Sequence, residues 1–284
     1  MPSLPDMTTP EAAELARGQA AAHPGHPAVP RPDADQEALL ETLLRLGDNT
    51  LILGHRVSEW CGHSPVLEED IGLANVALDL IGQTQLWLGL AAEVEGKGRS
   101  ADDLAYLRDA WDFRNLLILE RPNGDFGQTL MRQFLFDAWH LEMLTALQQS
   151  TDPRIAEIAA KAVKEVAYHL ERSSDLVIRL GDGSEESHRR MQEALDALWP
   201  YAGEMFASDQ KDVTIAAQGI MPDPASLRAK WDAVVGEVLD AATLTRPEGS
   251  FAHKGGKQGV HTEHLGYILA EMQFLQRAYP GASW

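Results

Sequence analysis

Acidic and histidine side chains lie inside apolar, helix-forming stretches of this sequence. Asp79 occupies a stretch that is apolar nearly all round, which is typical of a buried helix. Asp137 lies in an aromatic-rich stretch with His140 three residues on, and a third stretch carries Glu165 and His169 four residues apart. A buried carboxylate must be hydrogen-bonded, ion-paired or metal-bound, because isolating it costs several kcal/mol. These residues therefore predict a polar cluster or a metal site inside a helical bundle.

The spacing of these side chains departs from that of a carboxylate-bridged metal pair. Ferritin-like di-iron bundles use a Glu from each of two helices and a Glu-x-x-His pair from each of two others, because side chains at i and i+3 reach one metal together. Here Asp79 is followed three residues on by Gly82, and His169 is preceded three residues back by Val166. The remnants Asp79, Asp137 and His169 predict a metal-free hydrogen-bonded cluster, and no metal is expected in this chain.

A second interpretation stays open for the same side chains. It is an independent ferritin-like enzyme, a metal-dependent oxygenase or ferroxidase, built on the pairs that the spacing still allows. The residues it would use are Asp79, Asp137, His140, Glu165 and His169.

Two short motifs have simpler explanations than catalysis. His261 and His264 flank a glutamate but lie at i, i+3 rather than at the i, i+4 spacing of a zinc helix, so Thr262 is predicted to be a helix N-cap. Cys61 and His63 are close neighbours across a glycine, which favours a turn over a thiol nucleophile.

Hydrophobic periodicity near 3.6 residues runs through most of the chain, and alternating strand patterns are nearly absent. The prediction is an all-α protein, a ferritin-like four-helix bundle with additional C-terminal helices. The predicted helices cover 36–60, 68–92, 101–120, 126–149, 153–180, 185–207, 223–241 and 261–278. The bundle consists of 36–60, 68–92, 126–149 and 153–180, with 101–120 as its crossover. The helical domain is predicted to span 36–284, after an Ala- and Pro-rich, disordered N-terminal extension at 1–35.

Composition excludes several classes of function. A net charge of −19 argues against nucleic-acid binding, which needs clustered Lys and Arg. No stretch approaches the ~18 uncharged apolar residues of a membrane helix, and the start lacks the basic and apolar regions of a signal peptide. A single cysteine, Cys61, forms no internal disulfide. The prediction is a cytoplasmic protein without a nucleic-acid or membrane partner.

A string of motifs in this chain closely resembles one family. They are Arg45–Asn49, Glu59–His63, Leu73–Asn75, Leu78–Leu80, Pro122–Gly124, Phe136–His140, Ala160-Lys161, Lys164-Glu165, Tyr168–Leu170 and 259–276. The family is PaaC, the C subunits of the bacterial ring-1,2-phenylacetyl-CoA epoxidases (phenylacetate-CoA oxygenases), within the ferritin-like superfamily. The resemblance covers about residues 36–284.

The resemblance implies a non-catalytic structural subunit of a multicomponent monooxygenase in phenylacetate catabolism. Its partner would be a homologous, PaaA-like catalytic subunit, which carries the di-iron centre and epoxidises the aromatic ring of phenylacetyl-CoA. Electrons would come from NADPH through a separate reductase subunit, and other epoxidase subunits would complete the complex. The C subunit itself would hold no cofactor.

The resemblance also implies that phenylacetyl-CoA lies at the subunit interface, next to two segments of this chain. The residues in these segments are Asp112, Phe113, Arg114, Asn115, Val213, Thr214 and Ile215. Phe113 and Asn115 agree with the family's residues, whereas Asp112 and Arg114 vary. Arg108 and Arg114 are basic groups that a CoA phosphate could use. The alternative, that the 111–120 segment only packs as the crossover, stays open.

Overall fold

The computed structural model describes residues 34–248 and 253–282 of the chain. From Ala34 onward the chain forms one compact unit. The predicted N-terminal extension lies outside the described residues except for Ala34 and Asp35, which begin the first helix.

The described residues form eleven α-helices and no strand, which confirms the all-α prediction. The long helices are α1 (Ala34–Ser58), α2 (Leu67–Glu95), α5 (Phe126–Leu147), α6 (Pro153–Gly181) and α7 (Glu185–Ala202). The shorter ones are α3 (Ala101–Tyr106), α4 (Leu117–Glu120), α8 (Gln210–Ala217), α9 (Arg228–Ala241), α10 (Glu263–Met272) and α11 (Phe274–Ala278). None of these helices is both long and apolar enough to cross a membrane.

Side-chain caps explain where several of these helices begin. Asp125 accepts a hydrogen bond from the backbone N–H of Gln128 at the start of α5, and Asp152 does the same for Arg154 at the start of α6. Ser184 opens α7 with a capping box. Each cap satisfies an N–H group that has no partner within its own helix.

Two helix hairpins make the bundle, as predicted. Helices α1 and α2 pack along their length, and α5 packs on α6. The α1–α2 approach is close at Gly47, where a Cβ atom would stand 2.5 Å from Cδ2 of Leu88. A larger residue at that position would require the buried Leu88 side chain to move.

The crossover is not the single helix predicted for 101–120. It consists of α3, a 3₁₀ turn at Ala110–Asp112 and the short α4. Phe113 and Leu116, between the turn and α4, have extended backbone angles. The backbone N–H groups of Arg114, Leu116 and Leu117 bond to side chains distant in sequence instead of continuing a helix, so helical periodicity in the sequence was misleading here.

The C-terminal part differs from its prediction at three places, one of them the predicted 261–278 helix, which is divided at Gln273 into α10 and α11. The helix predicted for 185–207 is α-helical to Ala202 and continues as a 3₁₀ turn at Gly203–Phe206, and α8, which follows Asp209, was missed. Asp209 caps α8 by accepting from the N–H groups of Lys211 and Asp212. The predicted 223–241 helix begins with a 3₁₀ turn and becomes α-helical only at Arg228.

Candidate functional site

Two hydrogen bonds join helices α2 and α6 at the predicted remnant site. Nε2 of His169 lies 2.9 Å from Oδ2 of Asp79, and Nε2 of Gln83 donates to Oε2 of Glu165 at 2.9 Å. His169 is buried, whereas the Asp79 side chain is 36% exposed. The predicted pairing of Asp79 with His169 is therefore present, at the edge of the bundle rather than at its centre.

Asp137 forms a separate set of hydrogen bonds. Its Oδ1 accepts from Nε2 of Gln133 at 2.7 Å, and its Oδ2 accepts from the hydroxyl of Ser173 at 3.0 Å. Both oxygens of this fully buried carboxylate thus accept a hydrogen bond from a neutral donor. The prediction of one cluster uniting Asp79, Asp137 and His169 is corrected to two neighbouring hydrogen-bonded sets.

These side chains do not fit a metal pair. Gly82 and Val166 stand where the di-iron pattern needs a histidine and a glutamate, and Asp79 is hydrogen-bonded to the only histidine on α6. Among the described residues, no three His, Cys, Asp or Glu side chains come close enough together to hold a metal ion. Burial lowers the pKa of His140 to about 3, so this histidine is neutral at physiological pH, which is also the form that binds metals; the missing ligands are what depart from the di-iron pattern.

Replacing Asp137 with Asn is expected to stabilise the protein increasingly as pH rises. Burial raises the pKa of Asp137 from 3.8 to about 6, against the opposing effects of His169, Gln133 and Ser173. A carboxyl with a raised folded-state pKa contributes stability that is fully present below pH 3.8 and lost as pH rises past about 6. Asn does not titrate, so the variant should gain up to about 3 kcal/mol over wild type between pH 4 and pH 7.

Urea denaturation of both proteins across this pH range measures the difference. Asp240→Asn provides the control, because it makes the same substitution at an exposed position. If the difference in unfolding free energy between Asp137→Asn and wild type did not change with pH, the pKa of Asp137 would not be raised in the folded protein.

The first predicted substrate segment lies on the crossover, with its side chains pointing in different directions. Phe113 and Asn115 are fully buried, and the Arg108 guanidinium lies 4.3 Å from the Phe113 ring centroid. Nε of Arg114 donates to Glu41 at 2.6 Å. Asp112 is exposed. The structure therefore gives Phe113 and Asn115 packing roles, while Asp112 and part of Arg114 face solvent.

The second predicted segment lies on α8. Val213 is exposed, Thr214 is half-buried with its hydroxyl donating to the Gln210 carbonyl, and Ile215 is fully buried. Arg114 and Asp212, which precedes Val213, line one internal cavity of about 30 Å³, enough for only about two water molecules. This cavity cannot receive an acyl-CoA. Any contact of the two segments with the substrate would therefore be made by their exposed side chains, and this role stays a prediction.

Residues of the Arg45–Asn49 motif hold the crossover and α8 against α1. Arg45 donates to Asp209 at 2.5 Å and to Asp212 at 2.9 Å. Asp48 accepts from the Arg108 guanidinium and from the backbone N–H of Arg114, and Asn49 accepts from the backbone N–H of Leu116. Arg108 is thus bound inside the protein, away from any phosphate at the surface.

Two buried glutamates join the crossover to the segment that precedes α10. Glu204 accepts from the N–H groups of Leu117, Gly255 and Gly256, each at 2.8 Å. Burial raises its pKa, against the lowering effect of these three donors. The contact is tight, because a Cβ atom on Gly256 would stand 2.1 Å from the carbonyl oxygen of Asn115.

Glu120 is the second of these glutamates and has four donors around it. Asn115 Nδ2 donates to Oε1, the backbone N–H and hydroxyl of Thr262 donate to Oε2, and Nδ1 of His261 lies 2.5 Å from Oε1. Nε2 of His261 lies 2.9 Å from the Phe113 carbonyl oxygen. Thr262 does occupy the N-cap position of α10, but its hydroxyl serves Glu120 instead of the helix.

Sequence reasoning missed Glu120, Glu204 and Asp48. A signal was present for Glu120, since it follows Leu-Ile-Leu and an acid in such a run must find partners when it is buried. Nothing local to the sequence indicates the partners of Glu204, which lie 51 to 87 residues away along the chain.

Two helix hairpins, a crossover between them and an incomplete set of carboxylate and histidine ligands define a ferritin-like helical protein whose described residues do not form a di-metal site. A family profile described as "Phenylacetic acid catabolic protein" matches residues 22–284, and the chain belongs to this family. The chain is 49% identical over 241 residues to the C subunit of the 1,2-phenylacetyl-CoA epoxidase of Escherichia coli (strain K12). That alignment covers 85% of this chain and 97% of the relative.

Proposed function

We propose that this chain is the non-catalytic structural subunit of a phenylacetyl-CoA epoxidase, a multicomponent monooxygenase of phenylacetate catabolism. The observation that carries the proposal is the state of the remnant site. Gly82 and Val166 replace two of the ligands that a di-iron pair needs, Asp79 and His169 bond to each other, and Asp137 bonds to Gln133 and Ser173. The similarity to the C subunit of such an epoxidase supports a place in a complex of this kind.

In this role hydrogen-bonded pairs hold helices together where a di-iron bundle would use its metal ions. His169 with Asp79 and Glu165 with Gln83 tie α2 to α6, so the bundle keeps its shape without an ion. The di-iron centre would belong to the catalytic partner subunit, where it supplies the oxygen chemistry. NADPH would act through a separate reductase subunit, and we expect the complex in the cytoplasm.

The subunit would also border phenylacetyl-CoA at its interface with the catalytic chain. Asp112, Arg114, Val213 and Thr214 are the residues of the two segments with exposed or half-buried side chains. Phe113, Asn115 and Ile215 would act indirectly, by keeping the backbone of these segments in place.

Co-expression with a PaaA-like di-iron catalytic subunit tests the proposal. We expect the two chains to co-purify. The purified pair should become an active epoxidase once the reductase is added. Purified alone from iron-replete cells, this chain should carry less than about a tenth of an iron per molecule, because its ligand set is incomplete. The catalytic subunit from the same cells is the positive control. Two irons per molecule of this chain would instead favour the independent oxygenase or ferroxidase.

A further inference from the structure

A small cavity lies inside the protein where several parts of the chain meet. Its volume is about 30 Å³, and its lining includes Arg45 from α1, Arg114 from the crossover, Trp139 from α5, Asp212 from α8 and Lys257 from the segment before α10. Every residue of the lining is buried except Arg114, which is half-buried. The cavity is therefore shielded from bulk solvent, and its size suits one or two water molecules or a single small ion.

Two hydrogen-bond donors beside this cavity lack an acceptor. Nε1 of Trp139 and Nε of Arg45 are buried, and in the described part of the chain neither atom has a hydrogen-bond partner. Both residues are 5% exposed. An indole N–H and a guanidinium N–H can only donate, and a buried donor without an acceptor is destabilising. Since both side chains line the same cavity, a molecule inside it can accept from both of them.

Asp212 offers an acceptor in the same lining. Its Oδ2 accepts from the backbone N–H of Asp209 at 3.0 Å and from Nζ of Lys257 at 2.6 Å. Among the described residues, the one donor to its Oδ1 is Nη1 of Arg45, at 2.9 Å. A carboxylate oxygen has two lone pairs, so Oδ1 can accept a further hydrogen bond. The cavity thus presents two donors and one acceptor, and an internal water molecule typically bonds to about three polar groups.

The charges around the cavity favour a neutral occupant over an anion. The cations of the lining are all ion-paired, and they are Arg45, Arg114 and Lys257. Their carboxylate partners are equal in number, and they are Glu41, Asp209 and Asp212. A chloride ion would add a buried negative charge to a set that is already balanced, which is costly. The charge balance and the acceptor oxygen of Asp212 therefore suit water.

We propose that this cavity is a binding site for internal water. One water molecule accepts hydrogen bonds from Trp139 Nε1 and Arg45 Nε and donates one to Oδ1 of Asp212, so that three buried polar groups are bridged at once. The water ties α5 to the charged groups of α1 and α8, next to the predicted substrate segment that begins at Val213. This water site is independent of the proposed function, because the cavity and its lining define it.

A crystal structure of the full chain, at a resolution that shows ordered water, tests the site. We expect a water molecule within about 3.2 Å of both Trp139 Nε1 and Arg45 Nε. Crystals soaked in sodium bromide give a second measurement, because bromide replaces chloride and scatters anomalously, and we expect no anomalous peak in the cavity. A bromide peak there would assign the site to an anion. A cavity without density would show that the two donors stay unpaired, and either result would overturn the proposal.

Nuclear Overhauser contacts between water and the tryptophan indole N–H groups test the same site in solution. Trp139 should show a cross-peak with the sign of a water that stays bound for longer than the protein takes to tumble. The matched control is Trp87, whose Nε1 is also buried and unpartnered in the described part of the chain, but which does not line this cavity. Its indole should show no such cross-peak, and Trp139→Phe and Trp87→Phe assign the two signals. A cross-peak that is missing at Trp139, or equally strong at Trp87, would contradict the water site.

Discussion

Glu120→Ala is expected to lower the free energy of unfolding by about 3–5 kcal/mol. The carboxylate is fully buried and serves Asn115, His261 and both polar groups of Thr262. Alanine would remove the acceptor of both Thr262 donors and of His261 Nδ1, and one of the two acceptors of the Asn115 amide. An unmatched buried donor typically costs about 1–3 kcal/mol, and several of them are lost together.

Structural consequences should accompany the loss of stability. Glu120 holds the segment before α10 against the crossover, and His261 extends the contact to the Phe113 carbonyl. Hydrogen exchange should therefore quicken at Thr262 and at Asn115 before it quickens in α1 or α5.

Urea denaturation gives the energetic measurement, and Glu157 gives the control. Glu157 is an exposed glutamate on α6, so Glu157→Ala should stay within about 0.5 kcal/mol of wild type. Glu120→Gln should fall between the two, because an amide keeps one acceptor oxygen but points an N–H₂ at the remaining donors. A loss below about 1 kcal/mol for Glu120→Ala would mean that water replaces the carboxylate, which the buried geometry argues against.

Long helices were predictable because their apolar residues recur at the helical period. The α5 and α6 helices begin at Phe126 and Pro153, as predicted, since caps and a proline at the first position mark those starts in the sequence itself. The losses at Gly82 and Val166 were predictable for the same reason, because ligand spacing within a helix is a local property.

The crossover could not be predicted, because its conformation depends on distant residues. The N–H of Leu116 bonds to Asn49, which lies 67 residues earlier, and the N–H of Leu117 bonds to Glu204, which lies 87 residues later. Periodicity describes only neighbours within a few residues. The sequence therefore indicated helical periodicity in 101–120. It did not indicate that distant side chains would accept hydrogen bonds from the backbone of this segment.

Helix α2 shows a different limit of sequence reasoning. Its composition indicated a helix buried on every side, but the fold of this chain covers only part of it. Periodicity cannot distinguish a side buried by the same chain from one that the chain leaves open. The exposure of Leu78 identifies the side that the chain leaves open, and this exposure can be seen only in the folded bundle.

Removing either partner of the Asp48–Arg108 ion pair is expected to lower the free energy of unfolding as much as removing the Glu120 carboxylate does. Both side chains are almost completely buried, and Asp48 also accepts from the backbone N–H of Arg114. Removing one partner of a buried pair leaves an uncompensated charge, so Asp48→Ala should cost about 3–5 kcal/mol of unfolding free energy. Arg108→Ala should cost a similar amount, because it also loses the guanidinium packed on Phe113.

A double-mutant cycle isolates the pair from these side effects. If the two groups interact directly, the Asp48→Ala/Arg108→Ala protein should be at least about 2 kcal/mol more stable than the sum of the single losses predicts. The exposed pair Asp175 and Arg179 on α6 is the control, where the same cycle should give less than about 0.5 kcal/mol. Additive losses at Asp48 and Arg108 would mean that each side chain stabilises the crossover separately, Asp48 through the Arg114 backbone and Arg108 through the carbonyl oxygens of Leu104 and Asp112.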